Sequence, residues 1–174
     1  MGAVHSLSGF FIALALALVP PTGPDPLLPL HLTAHDVPGL VPEGKTQACE
    51  GGEALTNLYD GGYMRYVRAG VVRASRRYDK LDGVTLEMVV HQMVSPRAAT
   101  AFLADLCKGI QAKVERMGRA SGCAVVRDES SFGFVAARQF VVSASYDKQD
   151  GRRFRTLLEA SGRRLDHARP KKIR

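Results

Sequence analysis

The sequence predicts an α+β domain, an antiparallel β-sheet with two amphipathic helices packed on one face. Three observations carry this expectation. Runs of β-branched and aromatic residues alternate with polar ones and are joined by short turns containing Asp and Gly. Two later segments instead repeat their apolar residues at helical spacing. Finally, 45% hydrophobic and 24% charged residues in a chain of 174 describe a single folded domain and exclude disorder over most of its length.

The chain opens on ten consecutive apolar residues, FFIALALALV at 10–19, closed by Pro20 and Pro21. Crossing a bilayer takes about 20 such residues. Residues 1–19 therefore read as a secretory signal peptide cleaved between 17 and 23, with a buried helix as the alternative. Seven prolines fall within residues 20–46, where each removes a backbone donor, so this stretch reads as a linker whose Leu40 and Val41 dock on the domain edge. The α+β domain is expected over 47–166, with a basic tail at 167–174.

Two short helices are expected first, one over 54–59 and one marked by Tyr63, Tyr66 and Val67, separated by Gly61 and Gly62. Residues 71–78 form a strand with Arg73, Ser75 and Arg77 on one face; Val72, Ala74 and Tyr78 share the other, where Arg76 breaks the pattern. A turn over 79–83 leads to a strand over 84–93, whose Val84, Leu86, Met88 and Val90 oppose Thr85, Glu87, Val89 and His91. Ser95 can cap the next helix, and Pro96 suits its first position. Its stripe is Phe102, Leu103, Leu106, Ile110, Val114 and Met117, ended by Gly118. Two short strands follow, at 123–126 and 132–137, around Asp128 and Glu129. The strand 138–146 turns Phe140, Val142, Ala144 and Tyr146 inward. After a polar turn, Phe154, Leu157, Leu158, Ser161 and Leu165 mark the second amphipathic helix.

The formal charge is +7, from 24 Lys and Arg against 17 Asp and Glu. From Arg152 onward nine basic residues face two acids, so the surplus belongs to the C-terminal segment. With no Trp and few aromatics, and export expected, a nucleic-acid partner is disfavoured. Arg163, Arg164, Arg169, Lys171 and Lys172 could instead meet an anionic surface or another envelope protein; a solvated helix face and tail is the plainer reading.

Three cysteines, Cys49, Cys107 and Cys123, allow one intramolecular disulfide in any of three pairings. Cys107 lies beside an apolar helical stripe, which suits a buried thiol. No zinc or haem spacing is present, so neither metal nor cofactor is expected.

Residues 54–106 resemble the DUF6599-type family of exported bacterial proteins of unknown function. The resemblance rests on Asn57-Leu58-Tyr59, Asp60-Gly61-Gly62, Tyr66, Gly70 and Tyr78, the strand 84–93 with Glu87, and the helix opening Ser95-Pro96-Arg97-Ala98-Ala99. Asp60 and Tyr63 stand where the family usually carries Asn and a small residue. Such kinship implies an antiparallel sheet with packed helices in an exported protein, and it implies no particular activity.

The candidate ligand-binding residues are Asp60, Gly61, Gly62 and Tyr63, where glycines admit an anion to the backbone, together with Glu87 and His91 on one strand face. Four residues put that pair about 13 Å apart, too far for direct acid–base work. Glu87 also suits an ion pair with Arg73, Arg76 or Arg77. No nucleophile motif is present and no catalytic residue is assigned, so an exported, non-catalytic binding module is the leading reading. An envelope enzyme using Asp60 to Tyr63 and Glu87/His91 is the alternative, as is an anionic-surface binder using the C-terminal segment.

Overall fold

The computed structural model describes residues 24–59 and 62–168. Seven antiparallel strands form one sheet in the order β1-β2-β3-β7-β6-β5-β4. The strands are β1 (Leu40–Glu50), β2 (Val71–Leu81), β3 (Val84–Met93), β4 (Glu115–Met117), β5 (Ala120–Arg127), β6 (Ser130–Ala137) and β7 (Phe140–Tyr146). Three helices accompany them, α1 (Tyr63–Ala69), α2 (Pro96–Gly109) and α3 (Gly151–His167). The sheet is thus two meanders, β1–β3 and β4–β7, joined side by side through β3 and β7. Tight hairpins make every link within the meanders except that from β1 to β2, which runs through α1. The first residue of each two-residue turn, Asp82, Gly118, Asp128 and Arg138, takes positive φ, which suits the twist of paired strands.

The α+β class and the antiparallel sheet agree with the sequence, but the helices do not share a face. α3 covers one side with Phe154, Leu157, Leu158 and Leu165 against Leu86, Met88, Val90, Val142 and Tyr146. α2 covers the other with Phe102, Leu103 and Leu106 against Val89, Met93 and Val141. A sheet covered on both sides must be apolar on both sides. Val89 and Met93, on the supposedly polar face of β3, carried that information.

The proline-rich stretch is likewise no spacer over its described part. Leu27, Leu32 and Val37 are buried in the α3-side core, and Leu40–Glu50 is an edge strand paired with β2. Leu40 is buried there, whereas Val41 is exposed. Residues 24–39 form a strap held by polar contacts that a proline count does not reveal. Arg77 donates to the Leu32 carbonyl, Arg164 donates to the His31 carbonyl, and Arg164 lies 3.0 Å from Asp36. His31 reaches Ser75 at 2.8 Å, and Ser75 Oγ donates to Asp25 at 2.5 Å. The serine proton therefore goes to the aspartate and not to the imidazole. With Ser75 fully buried, this is a structural relay. Beside it, Arg77 Nε lies 2.8 Å from Asp79 in a buried ion pair. Burial raises the Asp79 pKa while Arg77 opposes the rise. β2 accordingly continues through Asp79 to Leu81, past the turn expected at 79–83.

α2 starts as expected, with Ser95 Oγ accepting from Ala98 N at 3.1 Å. It stops at Gly109 instead of Met117, because Gln111 adopts positive φ and Glu115–Met117 pairs with β5 as an edge strand. α3 is capped by Asp150, which accepts from Arg153 N at 2.9 Å. Gly133 lets α3 approach the sheet: a Cβ there would lie 2.6 Å from Leu158 and 2.7 Å from the Cys123 carbonyl. The cysteines resolve as a Cys107–Cys123 disulfide tying α2 to β5, with Cys49 a buried free thiol. Cys107 is thus buried, but as a half-cystine; the three pairings were equivalent in sequence because only the packing of α2 on the sheet selects one. Among the described residues no helix is long and apolar enough to cross a membrane. The apolar run at 10–19 lies outside the described residues.

Candidate functional site

On the α2 side the helix covers only part of the sheet, and a cleft of about 400 Å³ remains. β3, β6 and β7 supply its floor through Glu87, Val89, His91, Phe132, Phe134, Ser143 and Ser145. The C-terminal end of α2 forms one wall with Leu106, Gly109 and Ile110; Tyr59, Tyr66, Arg65 and Arg76 form the other. The register explains the floor. Glu87 pairs with Ser145, Val89 with Ser143, and His91 with Val141, so alternate residues of adjacent strands face the same side.

The polar end is assembled from three elements. Tyr59, at the end of a short 3-10 turn (Glu53–Asn57), hydrogen-bonds His91 Nε2. His91 Nδ1 lies 3.2 Å from the Val141 carbonyl and donates to it, so Nε2 is the acceptor for the Tyr59 hydroxyl. His91 is 1% exposed. Burial lowers its pKa to about 4; the Val141 hydrogen bond opposes the change and Arg76 adds to it. Burial raises the Tyr59 pKa in turn, with Tyr66 contributing. The imidazole is neutral at pH 7 with both nitrogens engaged, and the phenol keeps its proton.

Arg76 closes the polar end. Its Nε lies 3.0 Å from Glu87, it donates to the Leu58 carbonyl, and its guanidinium sits 6.0 Å from the Tyr59 ring centroid. Tyr59 stacks on Tyr66 at 3.7 Å between centroids, and Phe102 meets His91 edge-on at 5.6 Å. Arg65 ties α1 to α2 through Asp105 at 2.6 Å. The wall is therefore a braced aromatic stack, set against an apolar helix end.

Of the residues singled out in sequence, Glu87 and His91 line this cleft. Tyr63 and Gly62 do not; Tyr63 is half-buried at the start of α1 and Gly62 is exposed before it. Asp60 and Gly61 lie outside the described residues. Arg163 is exposed on α3, while Arg164 is engaged with the strap. Arg169, Lys171 and Lys172 lie outside the described residues. Tyr59, Tyr66, Arg76, Ser143 and Ser145 were missed as site residues. Two signals existed: Tyr59 and Tyr66 flank the glycine pair, and Arg76 interrupts an apolar strand face. Among the described residues no cluster of His, Cys, Asp or Glu could hold a metal ion.

No family model and no curated protein matches the sequence. The fold is similar to that of the extracellular domain of PknH from Mycobacterium tuberculosis, with a TM-score of 0.55 over 80% of this chain and 94% of that one. The two share 11% sequence identity, so the likeness is one of fold.

Proposed function

We propose that this chain is an exported, non-catalytic binding module that receives an amphipathic small molecule in the α2-side cleft. The observation that carries this reading is the division of the cleft into an open apolar trough and a polar end where His91 is already engaged by Tyr59 and the Val141 carbonyl and Glu87 is paired with Arg76. Such a trough, with a few fixed polar groups at one end, is the usual form of a ligand pocket. A general base needs a nitrogen free to take a proton and a pKa near the working pH. His91 has neither, and among the described residues no base is hydrogen-bonded to Ser143 or Ser145. These facts favour binding over the envelope-enzyme alternative.

Export is supported by the apolar run at 10–19, by the resemblance of residues 54–106 to exported DUF6599-type proteins, and by a buried disulfide, a bond that persists in oxidising compartments. The extracellular location of the PknH domain points the same way. Whether the destination is the periplasm or the medium is part of the same test. Mass analysis of the protein recovered from each cell fraction should find a chain lacking about the first 17–23 residues, with Cys107 and Cys123 oxidised. An intact, reduced chain in the cytoplasm rejects export.

For the cleft, the test is Ser143→Phe, which puts a ring into the trough from a half-buried floor position. The unchanged protein should bind 1-anilinonaphthalene-8-sulfonate at one saturable site, and the variant should lose at least tenfold in affinity, in keeping with a filled site (about 1.4 kcal/mol or more). Equal binding by both folded proteins sinks the reading.

A further inference from the structure

The charges around the α2-side cleft cancel in pairs. Arg76 Nε lies 3.0 Å from Glu87, and Arg65 lies 2.6 Å from Asp105. A charged ligand would leave water for a site where each lining charge already has a partner, and burying a charge without one is costly. The hydroxyls on the floor are in a different position. Ser131 and Ser161, both fully buried, donate theirs to backbone carbonyls, of Lys148 at 2.8 Å and of Leu157 at 3.1 Å. Ser143 and Ser145, half-buried in the cleft, have side chains hydrogen-bonded to no described residue.

Sheet register sets those two serines in a pattern. Opposed residues of β3, β7 and β6 form two rows across the floor: Glu87, Ser145 and Phe132, then Val89, Ser143 and Phe134. The serines therefore follow one another along the middle strand, about 7 Å apart by the rise of two residues. Phe132, left 38% exposed, and Phe134 flank them on one side, and Leu106 and Ile110 stand at the end of α2. A serine hydroxyl both donates and accepts, as does a hydroxyl on a ligand. A ligand with one hydroxyl can reach one serine; a head group with several can reach both.

Resting on the reading of this cleft as a binding site, we propose that its ligand is a neutral amphiphile with a polyhydroxylated head, of which a glycoside of an aliphatic chain is the simplest form. The head exchanges hydrogen bonds with Ser143 Oγ and Ser145 Oγ over β7, and the chain lies against Phe134, Leu106 and Ile110. A site whose polar groups are met by a ligand's hydroxyls discriminates against analogues that lack them.

Three probes that share one chain test this: octyl glucoside, octanoate and octylammonium, each kept below the concentration at which it forms micelles. Titrated into the isotopically labelled, intact protein, octyl glucoside should move the backbone amide resonances of Ser143 and Ser145 saturably, with one equivalent bound. The two charged probes should bind at least tenfold more weakly. Ser143→Ala combined with Ser145→Ala should weaken octyl glucoside at least tenfold and bring it level with the charged probes. The ligand class is rejected if either charged probe matches octyl glucoside, or if the doubly substituted protein keeps the preference. It is equally rejected if octyl glucoside leaves both resonances unmoved. In each of these cases, saturable binding of 1-anilinonaphthalene-8-sulfonate that Ser143→Phe blocks keeps the cleft as a binding site, whereas loss of that binding as well overturns both readings. Should the doubly substituted protein fail to fold, the order of the three probes on the unsubstituted protein still decides.

Discussion

The two faces of the sheet are built on different terms. The α3 face is covered by two elements: α3 packs Phe154, Leu157, Leu158 and Leu165 into the floor, and the strap at 24–39 lies over much of what the helix leaves bare, with a cavity of about 520 Å³ between the strap and the end of α3. The α2 face is filled at one end only. Its helix is shorter, it is pinned at Cys107 by the disulfide, and beyond Ile110 the floor lies open between the helix end and the Tyr59–Tyr66 wall. One face is covered by a long helix and a strap; the other holds its parts in place by a covalent tie, a stacked tyrosine pair and a buried histidine, leaving an opening over the sheet. A binding trough can exist because the stability it forgoes is provided on the opposite side.

This division makes the heaviest penalty fall on the closed face. Asp79→Ala leaves Arg77 buried with its charge uncompensated, and breaking one half of a buried pair costs about 3–5 kcal/mol. Urea unfolding should show that loss in the midpoint with an unchanged slope. A loss below about 1 kcal/mol would mean that water reaches Arg77, and that the strap does not seal this face.

On the open face the largest effect is covalent. The disulfide closes a loop of 16-residue separation, worth about 3 kcal/mol by chain entropy. Replacing Cys107 and Cys123 together by Ala should lower unfolding stability by about that amount. Hydrogen exchange localises the effect: α2 amides should lose protection first, while those of α3 follow global unfolding. Uniform loss along both helices would show that the faces are one cooperative unit and erase the distinction.

Why only part of this was legible in sequence follows from the same contrast. Tight hairpins and capped helices are local, so the turn at Asp82-Gly83, the cap at Ser95 and the α3 stripe could be read residue by residue. Coverage of both faces could not, because Thr85, Glu87 and His91 made one side of β3 look solvated; Glu87 is neutralised by Arg76, and His91 by Tyr59 and Val141, only through tertiary contacts. The strap was misread for a related reason. Proline reports what a backbone cannot donate, whereas the strap is held through its carbonyls, by Arg77 and Arg164 from 45 and 133 residues away. Glu87 and His91 could be picked out as unusual on their strand. That Tyr59, Tyr66 and Ser143 stand around them depends on sheet register and on the path of α1, which no local pattern encodes.

Acid should act on both faces at once, since each buries one histidine. Burial lowers the His31 pKa to about 3, with Arg77 contributing, and the His91 pKa to about 4. Both start from 6.5 in the unfolded chain. The unfolded state therefore takes protons that the folded state refuses, and stability is lost as pH falls below 6.5, down to the folded values. At pH 5 the loss is about 2 kcal/mol for each residue. Urea midpoints at pH 7 and pH 5 should differ accordingly, and His91→Asn and His31→Asn should each remove roughly half of the difference. If one variant removed all of it, the other face would be admitting water to its histidine.

The smallest expected effects compare the two faces atom for atom, through the loss of one tyrosine hydroxyl on each. Tyr59→Phe keeps the stack on Tyr66 but leaves His91 Nε2 buried without its donor, and an orphaned buried acceptor costs about 1–3 kcal/mol. Tyr146→Phe gives up a long contact to the Leu81 carbonyl, at 3.4 Å, inside a core where Phe154 stacks parallel to the ring. That hydroxyl is worth less than about 1 kcal/mol, because the geometry is poor and the apolar surroundings accept a phenyl ring of the same shape. Measured side by side in urea, the Tyr59 variant should be the less stable of the two. The reverse order would mean that His91 gains a replacement partner from the cleft, making the polar end of the trough adjustable where its packing describes it as fixed.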